Sequence, residues 1–123
     1  MKNKTGSNAP RRGEVWLVNF DPTVGDEIKK TRPAVILQND IGNQYGAVTI
    51  VAALSAHMGD ELYPTEVPIT PPESGLEKSS VVLLNQIRTV DKTRLMSRIG
   101  KLNSATMDAV DHATMISLGL GGA

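Results

Sequence analysis

The chain reads as mainly β, a small and strongly bent barrel closed by one helix at its carboxyl end. Three observations carry that expectation. Short apolar runs rich in β-branched residues recur at 34–38, 48–54 and 80–90; the stretches between them hold the Gly, Pro, Asn and Asp of turns; and helical periodicity is confined to the end of the chain. A length of 123 residues suits one domain with one core.

The elements follow in order. Residues 1–11 are polar and lack periodicity, so a disordered arm or an appended remnant is expected there, with a single domain over 12–119 and a flexible tail over 120–123. Residues 13–20 alternate polar and apolar as a half-buried strand does, and Asp21-Pro22-Thr23-Val24-Gly25 supplies a turn. The runs at 34–38 and 48–54 suit strands buried on both faces, while the capping residues of 39–46 predict a short helical turn or loop between them. Residues 65–70 alternate but contain Pro68, which places them on an edge strand. A long strand is expected over 80–90, then a brief turn over 92–95 capped by Asp91, then a last short strand over 98–101. Asn103 or Ser104 caps a helix whose Met107, Val110, Ala113 and Ile116 recur about one turn apart, and Gly119 ends it.

Composition narrows the function. The chain has no cysteine, which excludes disulfides and thiolate metal sites and fits a reducing cytoplasm. No run approaches the roughly 18 apolar residues of a membrane span, and the first residues lack the apolar centre of a signal peptide. The 13 Lys and Arg balance the 13 Asp and Glu, yet residues 84–101 carry five cations against one anion and residues 57–78 carry five anions against one cation. A polyanion on one side and a cationic or self-complementary partner on another would suit such a layout, as would a plain solvated charge pattern.

The densest cationic feature is the corner Ile28-Lys29-Lys30-Thr31-Arg32-Pro33, which leads directly into a β-branched run. Pro33 biases Arg32 away from helix and the strand behind anchors it, so a guanidinium held there can serve phosphate chemistry. The plain alternative is a salt bridge from Arg32 to Asp26 or Glu27 within its own loop. Four aromatic residues in all argue against the stacking-rich binding of many single-strand binders, and Trp16 reads as a structural side chain.

Three motifs in order, RGEVWLVNFDPTVGDE, KTRPAVILQND and SVVLLNQIRTVDKTRL, together with the residues around them, resemble the MazF/PemK toxin family from about Arg12 to Leu118. The resemblance implies an SH3-like barrel of the CcdB/PemK type that works as a homodimer. It implies a metal-free, cofactor-free endoribonuclease, the toxin of a type II toxin–antitoxin pair, cutting single-stranded RNA at short sequences in the cytoplasm. The family's catalytic Arg and its Thr or Ser map onto Arg32 and Ser55; Glu27, Lys30, Asn85, Gln86 and Arg88 fall on or beside positions that line the RNA groove. The implied partners are mRNA and a MazE-like antitoxin whose acidic tail competes for that groove, with the basic 84–101 segment as a landing surface. RNA brings its own nucleophile, the 2′-hydroxyl, so charge neutralisation, deprotonation and in-line geometry suffice; a fixed Arg supplies the first. No residue declares itself as the general base.

Other classes remain open in the sequence alone. A noncatalytic gyrase poison in the style of CcdB shares the fold, and an SH3-like interaction module shares the size, although the latter usually presents an aromatic-lined groove. Within the nuclease reading, His57 is the local rival to Arg32, since a histidine can run acid–base cleavage of RNA. His112 reads as an exposed residue of the terminal helix.

Overall fold

The computed structural model describes residues 9–56, 61–71 and 73–121. The alternating and β-branched runs form six strands: β1 (Glu14–Asn19), β2 (Thr31–Ile36), β3 (Val48–Ser55), β4 (Glu66–Ile69), β5 (Ser80–Asp91) and β6 (Leu95–Lys101). A short helix α1 (Asp40–Tyr45) joins β2 to β3, a 3-10 turn at Lys92–Arg94 joins β5 to β6, and helix α2 (Ser104–Leu118) ends the fold. Both helices start at side-chain caps: Asn39 Oδ1 accepts from the Gly42 amide at 2.8 Å and Asn103 Oδ1 from the Thr106 amide at 2.8 Å. Gly119, at φ 71°, terminates α2 in the left-handed conformation that glycine adopts without cost.

The strands make one antiparallel sheet in the order β4-β5-β3-β2-β1-β6. Pro68 does lie on an edge strand, β4, and the two edges do not hydrogen-bond to each other, so the barrel is bent but open. The segment between β4 and β5 lies across β6 instead. There Gly75, at φ 79°, packs so tightly that a Cβ would stand 2.4 Å from the Ile99 carbonyl, and a Cβ on Gly100 would stand 2.5 Å from the Ser74 carbonyl. Two glycines facing each other let the two backbones touch. Glu73 extends the contact by accepting from the Asn103 amide at 2.8 Å.

Each face of the sheet carries its own core. Val15, Val35, Ala52, Leu54, Val82 and Leu84 pack on one side with Val110 and Ala113 of α2. Val18, Phe20, Ala34, Ile36, Val51, Ala53 and Val90 form the other, against half-buried Trp16, Ile28 and Leu95. That division explains the continuous apolar runs, because β2 and β3 are covered on both sides. Val110 and Ala113 are the buried positions of α2, in agreement with its one-turn periodicity.

Two strands run longer than their apolar cores suggest. β2 starts at Thr31 because Asn19 and Thr31 pair and the Phe20 amide donates to the Lys30 carbonyl at 2.9 Å, closing a hairpin over the polar corner. β6 starts at Leu95 and follows β1 through two register shifts, irregularities with no apolar signature. At the amino end Ala9 is buried and the Arg11 amide donates to Glu14 Oε1 at 2.9 Å, so the described body begins ahead of Arg12; residues 1–8 lie outside the described residues.

Candidate functional site

The site forms where β2 and β3 part company. Their ladder begins at Ala34–Ala53, immediately after Pro33, which has no N–H to contribute to it. Arg32, near the start of β2, and Ser55, at the end of β3 where it pairs with Val81 of β5, both lie beyond that pair. A groove of about 490 Å³ opens at this end, lined by Lys30, Thr31, Arg32 and Pro33, by Leu54 and Ala56 on either side of Ser55, and by Leu76, Glu77, Lys78 and Ser80 from the segment entering β5.

Arg32 is held by its backbone strand and by one side-chain bond, Nε donating to the Lys29 carbonyl at 3.2 Å. Among the described residues no carboxylate lies within ion-pair distance of it, so the salt bridge to Asp26 or Glu27 is absent. The half-exposed guanidinium faces solvent with its two terminal nitrogens uncommitted within the described residues. Lys30 precedes it at φ 67°, a left-handed conformation that a lysine enters at a cost of about 1–2 kcal/mol. Two bonds impose it: the Lys30 amide donates to Asp21 Oδ1 at 2.9 Å, and the Lys30 carbonyl accepts from Phe20.

The remaining sequence-predicted residues gather in a second, smaller hollow of about 290 Å³ lined by Glu27, Ile28, Asn85, Gln86, Ile87 and Arg88. Here the structure adds a constructional role. Gln86 Oε1 accepts from the Ile28 amide at 3.1 Å and its Nε2 donates to the Asp26 carbonyl at 3.2 Å, pinning the 20–30 loop to β5. Arg88 donates to the Phe20 carbonyl at 2.7 Å with its guanidinium 5.8 Å from the Phe20 ring centre. Glu27 closes its own turn by accepting from the Val24 amide at 2.8 Å. Asn85 is exposed and makes no side-chain hydrogen bond among the described residues.

The basic stretch 84–101 proves to be largely internal wiring. Arg94 donates to the Asn19 and Asp21 carbonyls, Arg98 pairs with the buried Glu14 at 3.0 Å, and buried Lys92 donates to the Asn43 carbonyl at the end of α1. Asn43 in turn accepts from Thr49 Oγ1 at 2.7 Å and from Gln38 Nε2 at 3.0 Å. Four of the five cations that suggested a landing surface are thus occupied with the protein's own acceptors. Trp16 is structural, its Nε1 donating to Glu14 Oε1 at 2.9 Å.

Sequence reasoning missed Glu77 and Lys78, which arrive at the groove from a segment distant in the chain. Their signal was slight: two charges at the end of an acidic block. His57 lies outside the described residues, and His112 is exposed on α2. Among the described residues no group of three or more His, Asp or Glu side chains is arranged to hold a metal ion. No helix among the described residues is long and apolar enough to cross a membrane.

Comparison with known proteins settles the lineage. The model of the PemK-like, MazF-like toxin of type II toxin–antitoxin systems matches residues 11–118. The chain belongs to this family. It is 44% identical over 110 residues to the endoribonuclease EndoA of Bacillus subtilis, covering 89% of this chain and 95% of that protein. Its fold superposes on MazF from Deinococcus radiodurans with a TM-score of 0.79 at 25% identity, covering 91% of this chain and 98% of the other. A mycobacterial endoribonuclease solved with its cognate antitoxin gives 0.75 at 26% identity, covering 92% and 98%.

Proposed function

We propose that the chain is the endoribonuclease toxin of a type II pair, cutting single-stranded RNA at short sequences by attack of the RNA's own 2′-hydroxyl on the adjacent phosphate. The observation that carries the reading is Arg32, a guanidinium presented to a groove without a carboxylate partner among the described residues. It neutralises the charge that grows on the nonbridging oxygens as the phosphorane forms, and it is stronger there than in the ground state because that charge is larger. Ser55, at the end of β3, orients a nonbridging oxygen with its hydroxyl. Lys30 draws the backbone phosphates toward the groove. Products are a 2′,3′-cyclic phosphate and a 5′-hydroxyl.

The second hollow reads the bases. Glu27, Asn85, Gln86 and Arg88 present carboxylate, amide and guanidinium groups suited to base edges that single-stranded RNA leaves exposed. Exposed Asn85 is the adjustable member, whereas Gln86 and Arg88 shape the hollow by tying down the 20–30 loop. The working unit is a homodimer in the cytoplasm, held in check by an antitoxin whose acidic extended tail covers the groove.

The test uses a long unstructured RNA incubated with the protein in EDTA, with the cut ends mapped and probed for cyclic phosphate, beside Arg32→Ala. Cutting by wild type and loss in the variant is the expected result. No cutting by wild type returns the gyrase-poison and interaction-module readings; full activity in Arg32→Ala removes the mechanism while keeping the nuclease.

A further inference from the structure

Deprotonation of the 2′-hydroxyl needs an acceptor, and Arg32 and Ser55 do not provide a ready one, since a guanidinium stays protonated and a hydroxyl is a poor base. We infer that Glu77 is the general base, a catalytic assignment that rests on the nuclease reading above. Among the described residues lining the groove around Arg32 it is the one carboxylate. It is exposed, and its carboxylate enters no hydrogen bond or ion pair among the described residues. Two carboxylates of the neighbouring loop sit outside this groove: Glu27 caps its own turn and lines the other hollow, and Asp21 accepts from the Lys30 amide. Asn85 and Gln86 are amides and cannot take up a proton.

Position supports the role as much as chemistry does. The backbone on one side of Glu77 is fixed where Ser74 and Gly75 press on Ile99 and Gly100, and where buried Ser74 accepts from the Leu76 amide at 3.2 Å. On the other side Ser80 Oγ donates to the Lys78 carbonyl at 3.2 Å as the chain enters β5. Anchors on both sides of Glu77 keep its backbone beside the groove, within which a base must work. Lys30, Arg32 and Lys78 line the same groove and supply positive charge to hold the phosphate beside it. In the step, the 2′-O–H proton passes to a Glu77 carboxylate oxygen as the O2′–P bond forms. The P–O5′ bond then breaks, its electron pair stays on O5′, and that oxygen takes a proton from solvent.

The experiment compares wild type, Glu77→Gln and Glu77→Asp on a short RNA and on the same RNA with sulfur replacing the leaving 5′-oxygen, a leaving group that needs no proton. Affinity is read separately with a noncleavable 2′-deoxy analogue. Glu77→Gln is expected to lose about 100-fold or more in single-turnover rate on both RNAs with affinity unchanged, and Glu77→Asp to recover part of it. A defect that vanishes on the sulfur substrate makes Glu77 an acid and overturns the assignment, as does a defect confined to affinity. Undiminished cutting by Glu77→Gln overturns the assignment and leaves the nuclease standing. Failure of wild type to cut either RNA removes the nuclease reading itself.

Discussion

Arg32 and Arg88 stand on the two strands that flank β3, and their surroundings have made opposite use of the same side chain. Arg88 donates to the Phe20 carbonyl at 2.7 Å and lies over the Phe20 ring, holding the β1–β2 hairpin against β5. Arg32 has one backbone carbonyl at 3.2 Å and a groove in front of it. The difference lies in the acceptors nearby. Arg88 commits a terminal nitrogen to a main-chain carbonyl, whereas both terminal nitrogens of Arg32 are uncommitted among the described residues and open to a phosphate. Arg94 and Arg98 side with Arg88, which is why counting positive charge along the sequence overstates the protein's binding surface.

The contrast can be broken in four places. Arg32→Ala is expected to lower RNA cleavage by about 100- to 1000-fold while shifting stability by less than about 0.5 kcal/mol. Single-turnover cleavage and thermal unfolding, measured side by side, check this; a stability loss as large as the activity loss would erase the distinction between the two arginines. Arg88→Met is expected to do the reverse first, costing about 1.5–3 kcal/mol by stranding the Phe20 carbonyl, as read from urea unfolding midpoints. Its RNA cleavage then falls through loosening of the hairpin, so tighter substrate binding in that variant would refute the structural role.

Gly75→Ala probes the clamp that carries Glu77 rather than either arginine. A Cβ at that left-handed position meets the Ile99 carbonyl, so the segment must move, at a cost of about 1–3 kcal/mol. Cleavage should drop more than RNA affinity, as read from single-turnover rates beside binding of a noncleavable RNA. The smallest effect concerns acid. The Arg12 amide bonded to Asp40 Oδ1 at 2.7 Å lowers the Asp40 carboxyl below its ordinary 3.8, with Asn43 and the Arg11 and Arg12 charges assisting. Stability from this group is present above that ordinary value and is lost as pH falls through the lowered one. Asp40 is half exposed, so the contribution is below about 1 kcal/mol; acid unfolding of Asp40→Asn should show a correspondingly shallower decline below pH 3.8 than wild type.

Much of this was legible in the chain because the relevant forces are local. Val48–Ser55 reads as strand from its own β-branching, and Asn103 and Gly119 bracket α2 with the residue types that helix ends require. Arg32 was legible too, through Pro33 behind it and the motif around it. Glu77 was not, because nothing between it and Arg32 in sequence indicates that the segment before β5 folds back beside the β2 end. Nor was the fate of Arg88, Lys92, Arg94 and Arg98, whose acceptors are main-chain carbonyls or a buried carboxylate supplied by distant strands.

By itself, the sequence determined the type and order of the elements, the edge placement of β4 and the family motifs, since propensity, capping and side-chain identity act over a few residues. Only the tertiary structure decided which cations are ties and which is exposed to a groove, and which carboxylate shares that groove. Charge acts through space, and its effect on chemistry is set by the acceptors and solvent that folding brings within a few ångströms of it.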